Sequence, residues 1–200
     1  MNFFEYLYEN TWIFFHPFQL FNKIEKGVNK RDKGKVILFS FLLSIFGNFS
    51  LLLSSPLIRP EKSGTFGIIL FSIILSLIIT YCFYFIFLSI CSFFLSLFDK
   101  KVEYIKMVTL FLVSDFIYII LIPLAMILKP FTLLSDTLFE LALIFLTIFN
   151  IALKIKAISQ SSSTRYISSL GVYFLPFVLF ISVVILGIFN FFISLIKLFV

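Results

Sequence analysis

Asp115 is the side chain in this sequence whose type and position most invite chemistry. It lies near the middle of KMVTLFLVSDFIYIILIPLAMIL, an apolar run from Lys106 to Leu128. At 1.5 Å of rise per residue, about 22 helical residues cover the roughly 30 Å hydrocarbon core of a bilayer, so a carboxylate there must offset its own desolvation. Asn48 and Asn150 fall inside other apolar runs. Counted from one membrane surface by helical rise, Asp115 is about 12 Å deep, Asn150 about 10 Å and Asn48 about 18 Å, depths that allow the three to meet. Such a group could form a proton- or cation-responsive site. It could also be structural, the acid taking hydrogen bonds from Ser, Asn or Tyr and joining helices. The structural role is preferred, because a transporter usually carries more than one intramembrane charge. On that role, Asp115→Asn leaves assembly intact.

Other chemistry is sparse. The single histidine, His16, precedes a proline outside the apolar runs, and no His, Cys and carboxylate group has ligand spacing. Neither a phosphate loop nor a nucleophile elbow occurs. No enzyme activity, catalytic residue, metal or cofactor is therefore expected. Cys82 and Cys91 are nine residues apart. On one helix that is about 900° of rotation, which puts them on opposite faces and precludes a bond within it. Lys154 and Lys156 read as anchors that snorkel to the surface. Asn190, Pro123 and Pro176 are compatible with interrupted helices along a transport path, although asparagine and proline also serve simply to bridge or bend membrane helices.

The elements that must position these residues follow from composition. Hydrophobic residues make up 61% of the 200, charged residues 13%, and the mean hydropathy is +1.14. A soluble domain carries about 25% charged residues, so this is an all-α polytopic membrane protein. The 31 phenylalanines are expected mainly to face lipid. Five spans are predicted at 36–58, 66–98, 106–128, 137–157 and 171–196. The second, at 33 residues of helix, is too long for one perpendicular crossing and too short for two, so it is taken as one tilted helix. Ser40, Ser44, Gly47 and Ser54 mark one close-packing face on the first span, and Ser72, Ser76 and Thr80 mark another on the second. Thr137 and Glu140 have capping-box spacing at the start of the fourth, which is followed by a serine-rich loop from Ser159 to Thr164. Pro176 is expected to kink the fifth span or mark its start.

Residues 1–35 form an N-terminal segment ahead of the 36–200 membrane domain. A basic n-region and a continuous apolar stretch are both lacking at its start, so no cleaved signal peptide is expected. Phe3, Leu7, Phe14, Phe18 and Phe21 recur at helical spacing, and Trp12, Tyr6 and Tyr8 suit headgroup depth, which predicts an amphipathic helix lying in the interface. Lys23, Lys26, Lys30, Arg31, Lys33 and Lys35 follow, a polybasic run expected to contact anionic lipid rather than nucleic acid. With five spans, alternate sides of the membrane carry 12 and 4 of the 16 basic residues. The positive-inside rule then puts the N-terminus in the cytoplasm and the C-terminus outside, in what is taken to be a bacterial cytoplasmic membrane.

Three stretches carry a family resemblance. HPFQLFNKIEK, with its proline and following aromatic leading an amphipathic segment into the first span, resembles the opening of the Yip1 domain family, and IPLAMIL and LGVYFLPFVLF are similar to its two proline-bearing helices. The resemblance, nearest to short bacterial members, implies a five-span membrane protein without enzymatic activity. Eukaryotic members bind Rab-type GTPases, and this chain lacks their long polar N-terminal region. The expected role is a membrane organiser or adaptor for a partner protein or lipid, with a homo-oligomer as a further possibility. The alternative is a transporter or lipid-permease subunit that uses Asp115, similar in plan to permeases that pair an interfacial helix with five spans.

Overall fold

Long runs of Leu, Ile and Phe in a solvent without hydrogen-bonding partners must satisfy their own backbone groups, and the helix does so within one segment. A computed structural model describes residues 33–58, 66–130 and 135–199, with Glu5, Leu7, Tyr8 and Thr11. These residues form α1 (Lys33–Ile58), α2 (Phe66–Leu97), α3 (Tyr104–Leu128), α4 (Ser135–Ser162) and α5 (Tyr166–Phe199). All five are long and apolar enough to cross a membrane, and no strand occurs among the described residues. The protein is thus an all-helical, membrane-embedded bundle. Most of the expected interfacial helix, with Lys23, Lys26, Lys30 and Arg31, lies outside the described residues. Leu7 packs against the core, and Lys33 and Lys35 open α1.

The helix ends depart from expectation for local reasons. Ser159 to Ser162, expected in a loop, complete α4. Their hydroxyls turn inward: Ser162 Oγ donates to Ile158 O at 2.7 Å and Ser159 Oγ to Thr164 O at 2.7 Å. Ser163 then takes φ 51° and Thr164 N–H donates back to Ser159 O at 3.1 Å, a Schellman closure without glycine. The end of α2 closes the same way, with Asp99 at φ 54° and Lys100 N–H on Leu95 O at 3.1 Å. At the other end of α4, the helix begins at Ser135, so Thr137 and Glu140 sit within its first turns rather than capping it. Ser72 is exposed and Ser76 and Thr80 are half-buried, so that stripe is less enclosed than Ser40, Ser44 and Ser54 of α1, which are buried.

α3 is the hub. Of its apolar stretch 61% is buried, against 11% for α5. α1 packs along all of α3, α4 covers another side, and α5 bridges α4 and α2. Two apolar clusters result: one of α1, α3 and α4 around Leu43, Val113 and Leu153, the other of α2, α3, α4 and α5 around Leu88, Phe111 and Ile158. Many phenylalanines outside them, such as Phe71, Phe145 and Phe180, are exposed along the spans, where lipid covers them.

α3 is not uniform. Tyr104–Ser114 is α-helical, Asp115–Ile120 tightens to a 3-10 helix, and Leu121–Leu128 resumes the α-helix. Pro123 accounts for the interruption: it has no N–H for the carbonyl four residues back, and its ring crowds that turn. The orphaned Ile119 O is taken by Ser50 Oγ of α1 at 3.3 Å. Pro176 likewise has no N–H for the carbonyl four residues back, but α5 stays a continuous helix through it, so it is neither a break nor the helix start. The carbonyl it leaves, Val172 O, receives the Cys91 thiol of α2 at 3.7 Å. Cys82, nine positions before, is exposed.

Candidate functional site at the centre of the bundle

The 3-10 turn delivers Asp115 to the point where four spans converge. α1 can reach it because Gly47 has no side chain: a Cβ there would sit 2.6 Å from the Asp115 carbonyl carbon and 3.1 Å from Phe116 Cα, closer than packed atoms allow. That contact brings the next residues on the same face into register. Ser44 Oγ donates to Asp115 Oδ2 at 2.8 Å and Asn48 Nδ2 to the same oxygen at 3.1 Å.

The other carboxylate oxygen belongs to α4 and α2. Asn150 Nδ2 donates to Oδ1 at 3.1 Å, Tyr84 Oη at 3.3 Å, and Lys154 Nζ forms an ion pair with it at 2.9 Å. The three sequence candidates Asp115, Asn48 and Asn150 are thereby brought together, the two amides on opposite oxygens of one carboxylate. Asp115 itself is completely buried.

Lys154 departs from the expected position. It is not a surface anchor; it is buried, with its ammonium held by Asp115, by Tyr84 Oη at 2.8 Å, and by the faces of Tyr84 and Phe111, whose ring centres lie 4.2 and 4.6 Å away. An ammonium over aromatic faces in a desolvated site gains cation–π attraction in addition to its ion pair. A signal was available. Asn150 and Lys154 are four residues apart, on one helical face, so a residue predicted to meet Asp115 carried Lys154 with it. Ser44 and Asn48 share that spacing, and Tyr81 and Tyr84 are separated by three. Lys156, the other expected anchor, is half-buried.

A second tier of hydroxyls braces the first. Tyr81 Oη donates to Ser44 Oγ at 3.0 Å and accepts from Asn48 Nδ2 at 3.4 Å, while Asn48 Nδ2 also reaches Ser44 O at 3.1 Å. Asp115 and Lys154 cancel in charge. The Asp115 carboxylate accepts from five side-chain donors on α1, α2 and α4. One buried acceptor is left over, Asn150 Oδ1. Among the described residues no three His, Cys, Asp or Glu side chains converge as metal ligands. What the geometry does is fix four helices at one depth, since each donor must stay in place or leave a buried charge unmatched.

Comparison with protein-family models, curated proteins and solved structures returns no match for this chain.

Proposed function

We propose that the protein is a non-enzymatic organiser or adaptor of a bacterial cytoplasmic membrane, of the Yip1 type, whose rigid bundle anchors a cytoplasmic polybasic segment that engages a partner protein or lipid. The observation that carries this reading is the saturation of Asp115 by donors from three other spans at full burial. A site whose every hydrogen bond ties helices together is suited to holding a scaffold still. Orientation in this reading has the N-terminus cytoplasmic and the C-terminus outside. Setting aside Lys106 and Lys154, both buried, leaves ten basic residues on the N-terminal side and four on the other, so the asymmetry survives.

A second reading, a transporter or permease subunit, has a specific observation in its favour. Lys154 supplies a second intramembrane charge beside Asp115, and it stands beside a 3-10 turn, a local irregularity often found at hinges. Purification from native membranes separates the two. The organiser reading expects the protein alone or with a non-transport partner; stoichiometric recovery of an ATPase subunit overturns it in favour of the permease.

A further inference from the structure

A cavity of about 760 Å³ lies between the end of α2 and the start of α5, remote in chain position from the Asp115 network. Its size is within the roughly 300–1,000 Å³ of small-molecule sites. The two Schellman closures form its rim: Lys100 follows the one at Asp99, and Arg165 follows the one at Ser163. Both bases are exposed, and Ser168 adds a hydroxyl on the first turn of α5. The wall below is apolar, made by Phe94 and Leu95 of α2 and by Val172 and Leu175 of α5. Gly171 also lines it, and a Cβ there would meet nothing within 4 Å, so the space persists against that backbone.

We propose that this cavity binds one anionic glycerophospholipid from the adjacent leaflet. The amphiphilic order of the site is that of the ligand. Two cations and a hydroxyl stand at the helix ends, where headgroups lie, and an apolar trough leads from them along the spans, where acyl chains lie. Arg165 presents a planar fork that matches phosphate oxygens in pairs, Lys100 a compact charge from the opposite helix. Neither cation is engaged by a carboxylate in an ion pair among the described residues. A zwitterionic lipid brings a cation of its own toward these two, and a free phosphate leaves the apolar trough empty. The inference rests on the organiser reading only for the use made of a held lipid; occupancy follows from the cavity alone.

The test uses the purified full-length chain in detergent, without a partner, so failure of the site is distinct from failure of the partner reading. Binding of phosphatidylglycerol and of phosphatidylcholine is measured by native mass spectrometry, with inorganic phosphate as competitor. The expected result is one retained phosphatidylglycerol with little phosphatidylcholine. Near-surface cations contribute about five-fold each in affinity, so K100Q/R165Q is expected to weaken phosphatidylglycerol binding on the order of 20- to 30-fold. Gly171→Leu, which fills the cavity, is expected to remove the retained lipid, whereas Lys129→Gln leaves it. Unchanged binding in K100Q/R165Q, equal retention of the two lipids, or displacement by inorganic phosphate at the lipid's own concentration overturns the proposal.

Discussion

At the scale of residues, the centre of this protein turns on a pair that the sequence splits between two segments. A carboxylate buried in hydrocarbon with only amide and hydroxyl donors would tolerate Asp115→Asn, as the sequence alone suggests. The ammonium of Lys154 changes that expectation, because the neutral side chain leaves a cation buried among aromatic rings. Breaking one half of such a pair typically costs about 3–5 kcal/mol. Tyr84→Phe isolates a smaller part of the network: it keeps the ring under the ammonium but removes the hydroxyl that meets both charges. Its expected cost is about 1–3 kcal/mol, measured by thermal unfolding in detergent. Asp115, Asn48 and Asn150 were legible as a meeting point because burial of polar groups in lipid demands partners. Lys154 was not, because a lysine near a span's end has snorkelling as an equally satisfactory solution, and only the neighbouring helices decide between the two.

At the scale of elements, the helices are joined where their own hydrogen bonding fails. Pro123 and Pro176 each strand a carbonyl, and in each case a small side chain from the neighbouring helix, Ser50 or Cys91, takes it. Ser50→Ala is expected to cost about 1 kcal/mol in the native chain and measurably less in a Pro123→Ala background, where the restored N–H can serve Ile119 O. Equal costs in the two backgrounds contradict the link. Gly47 is the other joint. Gly47→Ala forces α1 off the Asp115 carbonyl and is expected to cost about 1–3 kcal/mol, with Gly47→Val worse. Gly187→Ala, where nothing lies within 4 Å, is the matched control and should be neutral or slightly stabilising. The small-residue face of α1 was legible for this reason: Ser40, Ser44 and Ser54 are fully buried. The stripe on α2 has similar spacing but stays exposed at Ser72 and half-buried at Ser76 and Thr80, so spacing alone does not fix how deeply a small-residue face is enclosed.

At the scale of the whole molecule, five spans were legible from hydropathy because lipid forces backbone self-satisfaction, and four of the five starts fall within two to five residues of expectation while α2 starts where predicted. The end of α4 and the start of α5 were less so, each five residues from expectation, since serines that bond back to their own helix, such as Ser162 and Ser169, extend it as well as they break it. Orientation is open to direct measurement. In a Cys82→Ser background, with Cys91 left in place because it is buried, a cysteine at Lys100 is expected to resist a membrane-impermeant maleimide in intact cells, while one at Lys129 reacts. The reverse pattern inverts the proposed topology and moves the lipid site to the outer leaflet.

The rigidity of the bundle rests on the Asp115–Lys154 pair acting as a static joint. A double-mutant cycle on the stability of the purified protein, with Asp115→Asn, Lys154→Met and both together, measures it most directly. Each single substitution is expected to destabilise by about 3–5 kcal/mol and the double to recover much of the loss, giving a coupling energy of several kcal/mol. Additive losses, or an Asp115→Asn protein that is as stable as the native one yet has lost a pH-dependent transport signal, would contradict a static joint.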